Sequence, residues 1–325
     1  MTHQRIDFSK SIQRLSSILK NKRLMTSILA KSTIYTLLTI IGFIFLYPIL
    51  YMVSTSFKDI NDLLDASVIW IPNKLSLENY QTALVVLGLP TAFMELFEMN
   101  ALYQTILVVG VPSITATIAT GLIGYGFARF NFPLKKVWLV CVIVGFIIPQ
   151  QVILLPQFVY FNNQLKILGT LWSYILPAAT GQGLNAAVFI LIFYSFFSMI
   201  PKSLDESAYM DGANELSVFW HIGVKLSKQP IIIVFLFNFV WYWNDYYRAS
   251  YFLTGSKWTT LPLKLSRFEN TFATLIDQQQ IQTTNLNEPL ILAGTLLTVL
   301  PLLVIYFVFQ KFFVESIDRT GISGE

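Results

Sequence analysis

Six apolar runs constrain this chain more than any other feature. They extend from Thr33 to Val53, Leu102 to Phe127, Val137 to Phe161, Leu184 to Met199, Pro230 to Leu253 and Leu290 to Phe313. A hydrocarbon core of about 30 Å is crossed by about 20 helical residues, and the runs fit that length. The fourth is the shortest and is read as extending back through Tyr174. The third contains Pro149 and Pro156, which predict a kinked or broken helix. The expected fold is an all-α integral membrane protein with six transmembrane helices.

Composition agrees. Only 12% of the residues are charged, against about 25% in soluble proteins. At 54% hydrophobic, such a chain has too few charges to cover a water-facing surface, so lipid is the solvent for much of it. Its 27 Phe and 15 Tyr suit lipid-facing surfaces and interfacial belts.

The basic residues set the orientation. Arg5, Lys10, Arg14, Lys20, Lys22, Arg23 and Lys31 precede the first run. Arg129, Lys135 and Lys136 lie between runs two and three, Lys202, Lys225 and Lys228 between four and five, and Lys311 and Arg319 after six. Most of the 22 basic residues thus share one side, which predicts cytoplasmic N- and C-termini. The net charge of +4 sits beside membrane spans, so it is not a nucleic-acid signature. The location expected is the cell membrane, crossed several times.

Residues 1–31 read as a cytoplasmic basic segment with no compact apolar core and small-residue cleavage site, hence not as a signal peptide. Phe8, Ile12, Leu15 and Leu19 form an apolar stripe within it. Two readings stand: a helix lying on the inner membrane surface, or a basic tail that only sets topology. Residues 32–325 form the membrane domain. Two long outer segments, Ser54 to Ala101 and Gly255 to Glu288, are too short for independent catalytic domains. The single cysteine, Cys141, reads as a small apolar packing residue. His3 and His221 are far apart in sequence, which argues against a multi-histidine metal site.

The informative segment is the cytoplasmic loop, residues 201–228. Pro201 suits a helix start. Asp205 and Glu206 follow near the positive helix terminus, where negative charge is favourable. Gly212 permits a turn. A second helical stretch carries Leu216, Phe219 and Trp220 at three- and four-residue spacing. A short helix–turn–helix projecting from a membrane is a docking element, because a helix laid in a partner's groove is a recurring recognition mode.

This loop resembles the EAA loop of ABC importer permeases. Glu206, Ala208, Gly212 and Ile222 stand at the matching positions, and Asp211-Gly212-Ala213 extends the match. Ser207 replaces the first alanine. The family's closing Leu-Pro is missing: Val224 and Lys225 stand there, and Pro230 comes later. The resemblance implies a type I importer permease whose loop couples to an ATP-binding subunit through Glu206, Ser207, Ala208, Asp211, Gly212, Ala213, Phe219 and Ile222.

Further segments resemble the carbohydrate-uptake branch, and most closely its maltose-type second permease. These are Asn79-Tyr80, Gly124 through Phe130, Pro149 through Pro156, Trp243-Asn244-Asp245, and Gln310 through Val314. The chain ends Gly321-Ile322-Ser323-Gly324-Glu325, a departure from the usual ending. The likeness covers nearly everything after Lys31, with the core over residues 100–314. It implies a second permease subunit as partner, an ATPase dimer that binds ATP and magnesium in place of this chain, and an extracellular solute-binding protein.

Trp243, Asn244, Asp245 and Gln150 are the candidates for the solute path. Ionisable groups within spans usually face a cavity or a partner. Asp245 and Arg248 are three residues apart, so one helix face can pair them; Arg248 is read as a packing residue toward the second permease. Gln150 and Gln151 can contact solute or satisfy backbone groups freed by the break. Asp205 and Glu215 are read as solvated charges. Glu206 is read as an ATPase contact, with an internal cap as a second role.

No Gly-x-x-x-x-Gly-Lys-Ser/Thr loop occurs, so power must come from a partner. An ion-coupled transporter would place ionisable residues deep in several spans, and only Asp245 and Arg248 come close. An intramembrane enzyme would need a Ser/His, His/Glu or paired-Asp set, which is not found. The function expected is a non-enzymatic permease subunit importing a sugar, with a non-sugar solute as the alternative.

Overall fold

The computed structural model describes residues 22–92, 98–281 and 286–321. The Phe8–Leu19 stripe, His3 and the last four residues fall outside them. Among the described residues every regular element is a helix. The chain divides into two compact units, through Ser76 and from Leu77 onward.

The first unit holds α1 (Lys22–Ser56) and α2 (Ile60–Leu64). The apolar residues of α1 lie on all sides of the helix, as in a span. The loop after it is stitched by buried polar groups. Lys58 Nζ donates to the carbonyls of Val68 (2.7 Å) and Ile69 (3.0 Å). The Asp62 carboxylate accepts from Asn73 N (2.9 Å) and Nδ2 (3.0 Å). Asp65, farther along, is held below its ordinary pKa by hydrogen bonds from Ser67.

The second unit begins with α3 (Glu78–Leu87) and α4 (Ala101–Arg129). It continues through α5 (Lys135–Ile147), α6 (Gln150–Tyr160), a π turn at Phe161–Leu165, α7 (Trp172–Ala179) and α8 (Ala186–Met199). Next come α9 (Lys202–Met210), α10 (Glu215–Val218), α11 (Lys228–Asn244) and α12 (Tyr246–Phe252). The last are α13 (Leu261–Ser266), α14 (Phe268–Asp277) and α15 (Glu288–Gly321).

Helix α4 is the hub and packs on α7, α8 and α11. Its buried face is made of small residues, among them Ser113, Ala116, Thr117, Thr120 and Gly124. Without a hydrophobic force between spans, small residues let helices approach and gain dispersion contact. At Gly124 a Cβ would fall 2.5 Å from Phe193 Cβ and 3.1 Å from the Ile190 carbonyl oxygen. The Ser and Thr hydroxyls on this face bond back into their own helix, as Thr117 does to the Ser113 carbonyl at 2.7 Å, so these buried donors are satisfied. Helix α3, carrying the Asn79-Tyr80 pair, packs on α14 and α15.

Three helices, starting at Leu29, Ala101 and Glu288, are continuous and apolar enough to cross a bilayer, and three bent pairs raise the number to at most six. The predicted break in the third run is real: α5 and α6 meet at 99°. Pro149 cannot supply the N–H that would continue α5.

Several details differ from expectation. The fourth run does not extend back through Tyr174 as one helix, because the chain breaks between α7 and α8. The fifth is interrupted at Asp245, where α11 ends. Cys141 is exposed on α5, so it is not a packing residue within this chain.

Candidate functional site

The loop over residues 201–228 is a helix–turn–helix built by local rules. Helix α9 ends in two bonds that satisfy its last carbonyls: Ala213 N to Ala208 O (2.9 Å) and Gly212 N to Tyr209 O (3.0 Å). That is a Schellman closure, which needs a left-handed residue at the glycine position, and Gly212 has φ +85°. Asn214 then caps α10, its Oδ1 accepting from Ser217 N at 2.8 Å. After α10 the helical path continues through a π turn at Phe219–Gly223, so the second stretch is wider in its middle than a plain α-helix.

Two contacts, each backed by a second within the membrane helices, join this loop to α4. Arg129, at the end of α4, pairs with Asp205 at 3.2 Å and donates to the Ile200 carbonyl at 3.0 Å. Phe219 meets Tyr125 of α4 edge-on at 4.8 Å, and Tyr125 meets Phe197 of α8 at 5.1 Å. Val218 is buried and Ile222 half-buried. Asp205, expected as a solvated charge, is instead the anion that anchors the loop. The sequence showed Arg129 and Asp205 separately, but nothing in their spacing announced the pair.

The opposite surface of the loop is open. Glu206, Ser207, Asp211 and Glu215 are exposed. So are Met210 (88%), Leu216 (70%) and Trp220 (60%). No cap is made by Glu206, and its carboxylate is free to meet a partner. Ala208 and Ala213 are half-buried and serve the turn through their backbone.

The second group of candidates lies where helices break. Arg248 is buried at 4% exposure. Its Nε lies 3.4 Å from Asp245 Oδ2, and its Nη2 donates to Gln150 Oε1 at 3.3 Å. Asp245 does not share a continuous helix face with Arg248: it caps α12, accepting from Arg248 N at 3.1 Å. Arg248 thus packs inside its own chain, tying the α5/α6 break to the α11/α12 break. Gln150 spends its carbonyl on Arg248, not on backbone groups freed by Pro149.

Asn244 is exposed and donates to its own Val240 carbonyl at 2.9 Å. With Asp245, Gln150 and Gln151 it lines a cavity of about 220 Å³. A neighbouring cavity of about 400 Å³ is lined by Gln150, Gln157, Gln182 and Asn185, between the α5/α6 break and the α7/α8 break. Trp243 belongs to neither. It is buried at 2% and stacks on Phe239 at 5.7 Å, which corrects its place among the path candidates: it is a core residue. Gln157, Gln182 and Asn185 were missed because their significance comes from two breaks meeting in space.

The model of a protein family described as the inner membrane component of binding-protein-dependent transport systems matches residues 117–319. The chain belongs to that family. It is therefore a permease subunit of the inner membrane and not itself an enzyme, and it works with the ATPase and binding-protein subunits of an ABC importer. Among its relatives is the inner membrane ABC transporter permease protein YcjP of Escherichia coli. The two are 28% identical over 94% of this chain and 99% of that protein. Another is YtcP of Bacillus subtilis, a polygalacturonan/rhamnogalacturonan transport system permease, 28% identical over 69% of this chain and 73% of that protein. A solved bacterial ABC transporter that imports the acidic polysaccharide alginate shares the fold. It has a TM-score of 0.66 and 20% identity, and covers 89% of this chain and 98% of that one.

Proposed function

We propose that this permease carries a saccharide inward as one of two unlike permease subunits, with six spans and both termini in the cytoplasm. Loop 201–228 docks on the ATPase, and the broken helices around Gln150, Asn244 and Asp245 line the solute path. The observation that carries the reading is the loop's two-sidedness. One face is tied to α4 through Arg129–Asp205 and Phe219–Tyr125, and the other presents Met210, Leu216 and Glu206 to a partner. A force applied at the open face is delivered to the spans through those anchors.

The saccharide assignment rests on the sugar-branch motifs and on the polygalacturonan/rhamnogalacturonan relative. Cavities lined by amides and one carboxylate, beside freed backbone groups, suit a polyhydroxylated solute. The test is ATP-dependent uptake by vesicles holding the assembled transporter and its binding protein. Uptake of labelled oligosaccharides and none without ATP is the result expected. Uptake driven by an ion gradient without ATP would overturn it.

A further inference from the structure

At the end of α4 opposite the coupling loop lies a cavity of about 370 Å³. Its wall is formed by the start of α4 and the segment running from Gly255 into α13. Two neutral side chains there, Gln104 and Ser256, are bonded to neighbouring backbone groups. Gln104 donates to the Met99 carbonyl at 3.0 Å and accepts from Thr259 N at 3.1 Å. Ser256 Oγ donates to Leu253 O at 2.9 Å and accepts from Trp258 N at 3.1 Å. The charged donors there are all cationic.

Lys257, Lys264 and Arg267 all line the cavity, and no carboxylate lines it among the described residues. None of the three makes an ion pair with a described residue. Lys257 lies 5.6 Å from the centre of the Trp258 ring. Lys264 is half-buried, its Nζ 3.4 Å from where a Cβ on Gly88 would stand, and burial lowers its pKa. Three like charges around a partly desolvated space repel one another, and an anion entering it relieves both costs.

Resting on the saccharide reading, we propose that this cavity binds the carboxylate of an acidic sugar residue, held by Lys264 and Arg267 with Lys257 at the rim. Two features favour a sugar acid over a neutral sugar or a protein carboxylate. Three cationic side chains line the space and no carboxylate does among the described residues, which matches an anion rather than an uncharged hydroxyl. The space is concave and large enough for a whole sugar residue beside the Trp258 ring, whereas a single aspartate or glutamate needs only the cations.

The experiment uses the complete transporter in lipid nanodiscs, titrated with trigalacturonate and with its neutral methyl ester. Trigalacturonate is expected to bind, with affinity falling as salt rises. The ester and the double variant Lys264→Gln/Arg267→Gln are each expected to weaken binding by about tenfold or more, as loss of charge-assisted hydrogen bonds does. Equal binding of acid and ester, or unchanged affinity in the double variant, overturns the proposal. So does a double variant that loses docking of the binding protein while keeping its affinity for trigalacturonate, which assigns the cations to a protein carboxylate. ATP-driven uptake of a neutral arabinotriose by the wild type, with no trigalacturonate binding, defeats this inference alone. Failure of both sugars in uptake and binding defeats the saccharide reading beneath it.

Discussion

The loop over residues 201–228 and the polar centre among the broken helices are built in opposite ways. The loop is made by neighbours in sequence. Its turn, its cap and its first helix are settled within residues 201–218, and only its anchors are long-range. The polar centre is made by residues far apart. Arg248 meets Gln150 across 98 positions, and neither has a local partner set that would reveal the other. The difference predicts separable defects: the loop's variants should disturb coupling to ATP, and the centre's variants should disturb the solute.

The largest effect is expected at Gly212. Its φ of +85° is one that a β-branched residue avoids, at a cost of about 1–3 kcal/mol. Open space surrounds it, so the penalty is conformational rather than a clash. Gly212→Val should tilt α9 against α10 and cut ATP-driven uptake about tenfold or more, since 1.4 kcal/mol is a factor of ten. Membrane insertion should persist. Normal uptake by this variant would detach the turn from coupling.

Arg129→Ala comes next. It leaves Asp205, whose side chain is 14% exposed, without its cation, and breaking such a half-buried pair costs about 1–3 kcal/mol. The expectation is ATPase that still copurifies but no longer drives transport, because the docking face survives while its anchor to α4 is lost. Loss of copurification would instead make the anchor part of the docking face.

A smaller, opposite signature is expected from Asn244→Leu. Loss of one hydrogen-bonding side chain is worth about 1 kcal/mol, so uptake should fall severalfold with ATPase docking and assembly unchanged. Full uptake would move Asn244 out of the path. Glu206→Lys should have the mildest effect of the set, weakening ATPase copurification by reversing one exposed charge.

How much was legible beforehand follows the same division. Six apolar runs, Pro149 as a breaker and Gly212 as a turn could all be read from local chemistry. The sequence could not show that the run from Pro230 to Leu253 breaks at Asp245, because an N-cap inside an apolar stretch looks like an ordinary buried acid. Asp205 looked solvated because Arg129 lies 76 positions before it, and only the packing of α4 against α8 brings the two together. Trp243 was drawn toward the path by its neighbours in the motif, yet it points the other way, onto Phe239.

The central claim, that loop 201–228 is the surface on which the ATPase docks, is tested most directly by cross-linking from its tip. Met210, at 88% exposure, is replaced by cysteine in a chain whose own Cys141 is changed to serine. Leu64, at 78% exposure in the first unit, is replaced in a parallel chain as the control. The account predicts a cross-link from Met210→Cys to the ATPase that changes in yield when ATP is added, and none from Leu64→Cys. A cross-link from Leu64→Cys, or none from Met210→Cys in a transporter that still imports solute, would contradict it.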